Sequence, residues 1–146
     1  MRKLLISVAL LFGSSVTAFA ETIEVQMLNE NDAGDRMVFS QELIRAKVGD
    51  VIRFVPTDRS HNAQSVRSAL PEGQDDFKGR VNKEVEYPVT DTGLTAVICL
   101  PHQSMGMVAL IVVGNDLSNE AQILYARIPG QGKDKIAALI EEAKAI

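Results

Sequence analysis

Residues 99–107 hold half of the cysteine, histidine and methionine side chains in this sequence, the types that bind soft metal ions. They include the only cysteine, one of the two histidines and two of the five methionines. In the order Cys-x2-His-x4-Met, a thiolate, an imidazole and a thioether lie on one loop. One Cys and two His with a long axial Met form the geometry of blue-copper electron-transfer sites. The spacing therefore predicts a copper site that needs one more histidine.

His61 is the remaining histidine, and we expect it to complete the site. Either Met105 or Met107 can supply the thioether, and the strand predicted after residue 107 favours Met107, because a ladder fixes its position. We expect Cys99 to bind as the thiolate, since a bound metal keeps a thiol deprotonated. The alternative is a buried structural cysteine, the usual role of a lone Cys.

The segments on either side of this loop are apolar and typical of buried strands. Further strands are predicted from alternating or β-branched patterns, and residues 63–83 are predicted as loops with a short helical turn. The predicted strands are 22–28, 37–39, 43–47, 51–55, 84–90, 95–98 and 108–113. Seven to eight short strands at this spacing indicate an all-β, two-sheet sandwich with Greek-key connections.

The C-terminal part changes to helical periodicity. Residues 119–127 have helical spacing that stops at Pro129-Gly130. Residues 133–145 place Ile136, Leu139, Ile140 and Ala143 on one apolar helix face. We expect two α-helices packed on the sandwich, within a single domain spanning residues 21–146.

The N-terminus has the pattern of a secretory signal peptide, residues 1–20. Arg2 and Lys3 precede a short apolar run, and Ala18-Phe19-Ala20 ends in a cleavage pattern. The run is too short for a membrane anchor, so we expect export to the periplasm and no membrane association. The net charge of −4 becomes more negative when the two basic residues are removed, which argues against nucleic-acid binding.

Several short segments resemble the pseudoazurins, small periplasmic blue-copper proteins of the cupredoxin group. They are Glu24-Val25-Gln26-Met27-Leu28-Asn29, Val48-Gly49-Asp50, His61-Asn62, Pro101-His102 and Met105-Gly106-Met107-Val108. The resemblance implies a cupredoxin fold and one type 1 copper bound by His61, Cys99, His102 and Met107. It also implies an electron carrier that meets its redox partner transiently, and we expect the protein to be a monomer. That partner would be a denitrification reductase, notably copper nitrite reductase, or a c-type cytochrome.

The same resemblance implies supporting roles for other residues. Asn62 would tie the His61 loop to the Cys99 loop, and Pro101 would stiffen the latter because its φ is fixed. Met37 would lie near the exposed histidine, although core packing is an equal interpretation.

Met105 would face outward as an apolar docking contact. A basic ring around the apolar patch at His102 is our hypothesis for docking, formed by Arg59, Lys78, Arg80 and Lys83. An ordinary solvated surface is the alternative.

Three positions depart from the pseudoazurin pattern. Ile98 and Glu30 stand where lysine is frequent, and Gln103 stands where an aromatic residue is frequent. The ligands are unaffected, so we expect these changes to alter partner docking rather than copper binding.

Other functions fit the residues less well. A copper enzyme needs a second metal site built from further histidines, and a thiol enzyme has no use for Met107. Zinc is disfavoured because thioether is a poor zinc ligand. A periplasmic copper-delivery protein is the remaining alternative, and a closed four-ligand site argues against it. We therefore expect an electron carrier and not an enzyme.

Overall fold

The computed structural model describes residues 19–145. The predicted signal peptide therefore lies almost wholly outside the described residues. The part described contains eight strands, one short 3-10 helix and two α-helices. The strands are β1 Thr22–Glu30, β2 Arg36–Phe39, β3 Leu43–Ala46, β4 Val51–Val55, β5 Gln64–Ser65, β6 Val85–Pro88, β7 Gly93–Ile98 and β8 Val108–Val113. The 3-10 helix is Gln103–Met105, and the α-helices are α1 Glu120–Tyr125 and α2 Gln131–Lys144.

The eight strands form two four-stranded sheets. The first sheet has the order β2-β1-β4-β6 and the second the order β3-β8-β7-β5. Each contains one parallel pair, β1 with β4 and β3 with β8, among antiparallel neighbours. Parallel neighbours require long connections, which here run between the sheets. The predicted β-sandwich with two C-terminal helices is confirmed.

Strands β7 and β8 are buried on both faces, which explains their continuous apolar sequence. One face, with Val97 and Ala109, joins the core cluster between the two sheets. The opposite face, with Ile98 and Leu110, joins a second cluster formed with the helices. The alternation of side chains along a strand separates these two sets.

Helix α2 covers the second sheet with the apolar face that the sequence predicted. Ile136, Leu139, Ile140 and Ala143 are all buried. Burying an aliphatic side chain of this size stabilises the fold by about 1.5–3 kcal/mol. Across residues 19–145 neither helix combines the length and apolar character needed to span a bilayer.

No helix forms within residues 63–83: strand β5 lies there, followed by hydrogen-bonded turns from Val66 to Ala69 and from Pro71 to Gln74. Gln64 and Ser65 pair with Ile98 and Val97 of β7. The Ser65 hydroxyl accepts a hydrogen bond from the Phe77 N–H at 2.9 Å, and the Ser65 N–H donates to the Phe77 carbonyl. These long-range bonds hold the two-residue strand in the second sheet.

Candidate metal centre

The loop that carries most of the candidate ligands closes the β7–β8 hairpin. The Cys99 N–H donates to the Met107 carbonyl at 3.0 Å, one step beyond the last paired residues of the ladder. Both residues are fully buried and belong to the cluster between the sheets. Cys99 and Met107 therefore lie side by side at the end of the sandwich, although β8 itself begins at Val108.

The backbone of the loop holds His102 in place. Its N–H donates to the Cys99 carbonyl, and its own carbonyl accepts bonds from the N–H groups of Met105 and Met107. The 3-10 helix Gln103–Met105 is followed by the C-cap residue Gly106, whose φ of 98° and ψ of 11° are left-handed. Glycine adopts this conformation without steric cost, so the turn back into β8 is tight. His102 remains partly exposed.

His61 comes from the other sheet, on the loop after β4. It is fully buried, and its carbonyl accepts a hydrogen bond from the Asn82 N–H at 2.8 Å. Its ring Nε2 lies 2.9 Å from Asn29 Oδ1 at the end of β1. An amide oxygen accepts, so Nε2 carries the proton and Nδ1 presents its lone pair.

The three strongest donors converge. His61 Nδ1 and His102 Nδ1 are 3.1 Å apart. Cys99 Sγ lies 3.8 Å from His61 Nδ1 and 3.5 Å from His102 Nδ1. Nitrogens that share one ion at about 2.0 Å are separated by at most about 4 Å, and a sulfur reaches slightly further. All three separations satisfy this limit, so the residues fit a single ion.

The donor set favours copper over zinc. One buried thiolate, two imidazoles and a buried thioether beside them match a type 1 copper centre, whereas structural zinc sites do not use methionine. His61, Cys99, His102 and Met107 are the residues that would hold the ion. Only His102 offers an exposed edge among these four.

The thiol is suited to metal binding and poorly suited to nucleophilic catalysis. Burial raises the pKa of Cys99, while the backbone N–H groups of Asn62 and His102 act in the opposite direction. A raised thiol pKa leaves little free thiolate at neutral pH. A bound cation supplies the charge that deprotonates it, and the proton is released on binding. This environment argues against a thiol enzyme.

The environment of His61 keeps its imidazole neutral. Burial lowers the pKa of His61, the neighbouring His102 lowers it further, and Asp58 acts against both. Burial disfavours the charged form of a base, and a neutral imidazole is the form that binds metal.

Asn62 connects the two ligand segments. Its side-chain carbonyl accepts a hydrogen bond from the Leu100 N–H at 2.8 Å. Its amide donates to the Gly79 carbonyl at 3.1 Å and to Gln64 Oε1 at 3.2 Å. The residue after one ligand is thus bonded to the residue after another, in the arrangement that the sequence resemblance implied.

Two further residues predicted near the site, Pro101 and Met37, differ from each other in exposure. Pro101 is exposed on the outer side of the ligand loop. Met37 is partly buried and packs against the core cluster that contains Cys99 and Met107. Its φ of 55° is unusual for a methionine.

The ligand loop also presents an apolar surface. Met105 is 52% exposed and Leu100 is 49% exposed, and both are near His102 in sequence. Met105 was predicted from the sequence as an outward-facing contact, whereas Leu100 was not. An exposed leucine adjacent to the metal-binding cysteine was the available signal.

The four basic residues predicted for docking are all exposed. Lys78, Arg80 and Lys83 lie on a segment bonded to the His61 loop, through the Gly79 N–H to the Ala63 carbonyl at 2.9 Å and the Asn82 N–H to the His61 carbonyl. Arg59 precedes His61 by two residues. Arg59 is thus close to His61 in sequence, and the segment with the other three basic residues is hydrogen-bonded to the His61 loop.

Asn29 is the functional residue that sequence reasoning missed. Its side-chain oxygen is hydrogen-bonded to His61 Nε2, yet no role was predicted for it from the sequence. Asn29 follows the predicted strand 22–28 at the start of a polar segment, where asparagine is common, so its residue type carried no signal.

Comparisons with known proteins agree with this geometry. Residues 25–114 match the family of copper binding proteins described as the plastocyanin/azurin family. Over 130 residues the chain is 42% identical to a pseudoazurin from Paracoccus pantotrophus, covering 89% of both chains. It is also similar to the crystal structure of native pseudoazurin from Hyphomicrobium denitrificans, with a TM-score of 0.77 and 40% identity over 83% of this chain and 97% of that one. It is similar as well to a pseudoazurin structure from Methylobacterium extorquens, with a TM-score of 0.75 and 34% identity over 83% of this chain and 98% of that one.

Proposed function

Because this chain belongs to the plastocyanin/azurin family of copper-binding proteins, and within it to the pseudoazurins, we propose that it donates electrons to a denitrification reductase in the periplasm. It is an electron carrier with one type 1 copper. Copper nitrite reductase is the acceptor that we propose, with a c-type cytochrome as the other kind of redox partner.

One observation carries the proposal: three metal donors lie together, and a single one of them reaches the surface. His61 and Cys99 are fully buried, as is the adjacent Met107, whereas His102 is partly exposed. Bound copper supplies the one-electron couple between Cu(II) and Cu(I). The residues exclude water and fix the donors, which keeps the geometry similar in both oxidation states. An electron would enter and leave by the edge of His102.

The surroundings of His102 suit a brief encounter with another protein. Met105 and Leu100 provide a small apolar surface beside the exposed imidazole. Weak redox encounters use small interfaces, and nearby charges set the rate of approach. We propose that Met105 touches the partner and that Arg59, Lys78, Arg80 and Lys83 steer it.

Location and assembly are also part of the proposal. We infer that residues 1–20 are a cleaved signal peptide and that residues 21–146 form the mature cupredoxin domain. We further infer that the mature protein is a monomer. N-terminal sequencing of the protein recovered from the periplasm, together with its mass in solution, would check both points.

The first experiment is a visible absorption spectrum of the oxidised, copper-loaded protein, followed by repeated redox cycling. An intense blue or green band that survives cycling and disappears in Cys99→Ser is expected. A colourless protein would refute the copper assignment. Loss of copper during cycling would instead favour the delivery function over electron transfer.

The second experiment separates the partners. Reduced protein is mixed with copper nitrite reductase or with an oxidised c-type cytochrome, and electron transfer is followed by stopped-flow absorbance. Faster saturable transfer to the nitrite reductase is expected. Transfer to the cytochrome alone would contradict the proposed acceptor without affecting the copper site.

A further inference from the structure

The loop after β4 begins where the β1–β4 ladder ends. The last pair in the parallel ladder is Gln26 with Val55, and Pro56 follows. Beyond this point Asp58 makes two hydrogen bonds back to β1. Its N–H donates to the Met27 carbonyl at 3.0 Å, and its carboxylate accepts from the Asn29 N–H at 2.7 Å. Asp58 thus keeps the end of β1 attached after the ladder has stopped.

Asn29, which Asp58 holds, is the residue that contacts His61. Its side-chain oxygen lies 2.9 Å from His61 Nε2. The other ring nitrogen of His61 faces Cys99 Sγ and His102 Nδ1. The orientation of the ring and the nitrogen that carries its proton therefore depend on where Asn29 is placed.

We propose that Asp58 is a positioning residue of the metal centre, acting on His61 through Asn29. The carboxylate fixes the backbone of Asn29, the amide oxygen of Asn29 fixes the Nε2–H form of His61, and Nδ1 is left free for the ion. This inference rests on the proposed role of His61 as a copper ligand. Neither Asp58 nor Asn29 is a ligand, and the role uses the hydrogen bonds of Asp58 rather than its titration.

The expected effect on copper follows from ligand basicity. A hydrogen-bond acceptor on the distal nitrogen of a metal-binding histidine makes the imidazole a stronger donor, and its loss lowers metal affinity by about tenfold or more. Cu(II) benefits more than Cu(I) from a stronger donor, so losing the acceptor favours Cu(I). A tenfold change in this preference corresponds to a potential about 59 mV higher for one electron.

The test compares copper-loaded Asp58→Ala, Asp58→Asn and Asn29→Ala with the unmodified protein. Two quantities are measured: the reduction potential, and the exchange of the His61 Nε2–H with solvent by NMR of the Cu(I) form. Asp58→Ala and Asn29→Ala are expected to raise the potential and to speed exchange by about tenfold, the equivalent of one hydrogen bond. Asp58→Asn keeps an acceptor and should restore most of both values.

Asp116→Ala is the matched control. Asp116 also accepts a loop N–H, that of Ser118 at 2.9 Å, but it follows the far end of β8. If Asp58→Ala changes potential and exchange no more than Asp116→Ala does, the inference is wrong. If the unmodified protein shows no blue band at all, the copper assignment itself is wrong. That result is distinct from failure of the Asp58 proposal, which requires a blue protein whose potential does not respond to Asp58→Ala.

A double-mutant cycle separates action through Asn29 from general loosening of the loop. In the Asn29→Ala background, adding Asp58→Ala should leave the potential unchanged, because the connection is already broken. Additive shifts would overturn the inference. If Asp58→Ala does not fold, the same cycle is run with Asp58→Leu at low temperature, and Asp58→Asn, which keeps an acceptor, is expected to stay close to the unmodified protein in potential.

Discussion

Asn62 is the residue on which the arrangement of the two ligand segments depends most directly. It is 3% exposed and bonds to the Leu100 N–H and the Gly79 carbonyl. Replacement by alanine leaves both groups without their partner, and each buried unsatisfied group costs about 1–3 kcal/mol. We therefore expect Asn62→Ala to lower the free energy of unfolding by about 2–4 kcal/mol, measured by urea denaturation of the copper-free protein.

Gln41→Ala is the matched control for this substitution, because Gln41 is exposed and makes one long bond of 3.3 Å to the Glu24 carbonyl. It should change the free energy of unfolding by less than about 0.5 kcal/mol. Equal losses in both variants would show that Asn62 does not hold the segments together.

Tyr87 makes stability depend on pH in the alkaline range. Its hydroxyl is buried against Thr95 Oγ1 at 3.0 Å, and burial raises the pKa of Tyr87 to about 12. In the unfolded chain the value is about 10. The folded protein therefore holds the proton more tightly, so this stabilisation is complete below pH 10 and is lost as pH rises towards 12. The loss amounts to roughly 2–3 kcal/mol.

Tyr87→Phe removes this titration. The variant should lose about 1 kcal/mol at pH 7, from the hydrogen bond, and show a flatter decline in unfolding free energy between pH 10 and 12. Tyr125→Phe, at a position 87% exposed, should keep the slope of the unmodified protein. A Tyr87→Phe slope equal to that of the unmodified protein would contradict this account.

The sequence predicted the candidate ligands because their side chains are rare and their spacing is chemically restrictive. Cys99, His102 and Met107 lie within nine residues of one another along the chain, and His61 was the remaining histidine. Asn29 and Asp58 were not predicted, because common polar residues carry no such restriction. Their role depends on where the β1–β4 ladder ends, which is a property of register rather than of residue type.

At the scale of secondary structure, helix α2 supports the ligand loop. A Cβ at Gly132 would overlap the Gln103 carbonyl, and one at Gly130 would lie 2.5 Å from the Ser104 carbonyl. The first turn of the helix can therefore approach the loop backbone closely only with glycine at these positions. The loop between Cys99 and Met107 is therefore supported by contact with the start of α2 as well as by the strands at its two ends.

Gly132→Ala tests this support, because two effects have opposite signs. Alanine in a helix is favoured over glycine by about 0.8–1 kcal/mol, whereas overpacking costs about 1–3 kcal/mol. We expect net destabilisation in urea, together with a changed ratio of the copper absorption bands as the loop shifts. Stabilisation with an unchanged spectrum would show that the helix does not support the loop.

The control for Gly132→Ala is Gly34→Ala, where nothing lies within 4 Å of the added Cβ. Its φ of 87° imposes strain at a turn between β1 and β2. It should destabilise the fold through that strain alone, with no change in the copper spectrum.

Elements with strong periodicity were predicted well, whereas the two-residue strand β5 was missed. Strand β4 was predicted at its observed bounds, and the apolar face of α2 was identified residue by residue. Strand β5 was missed because two residues leave no period to detect. It exists because the Phe77 backbone and β7 provide hydrogen bonds from distant parts of the chain.

At the scale of the whole molecule, charge is unevenly distributed. The formal net charge is −4. The segment that is hydrogen-bonded to the His61 loop is nevertheless basic, with exposed Lys78, Arg80 and Lys83. Glu30, also exposed, follows Asn29 in the sequence, and Asn29 is the residue that contacts His61. A partner with an acidic face is attracted by the basic segment and repelled by Glu30, and this local balance should set the association rate.

Charge reversal separates local steering from net charge. Lys78→Glu should slow electron transfer to an acidic-faced reductase by roughly threefold to tenfold at low ionic strength, and Glu30→Lys should accelerate it. Both differences should shrink as salt rises towards 1 M, because the screening length falls to about 3 Å. Lys47→Glu has the same change in net charge, but Lys47 follows β3 near the end of β8 opposite the ligand loop. If Lys47→Glu slows transfer as much as Lys78→Glu, net charge governs the encounter. Because steering by the basic segment acts locally, Lys47→Glu should leave the rate within about twofold.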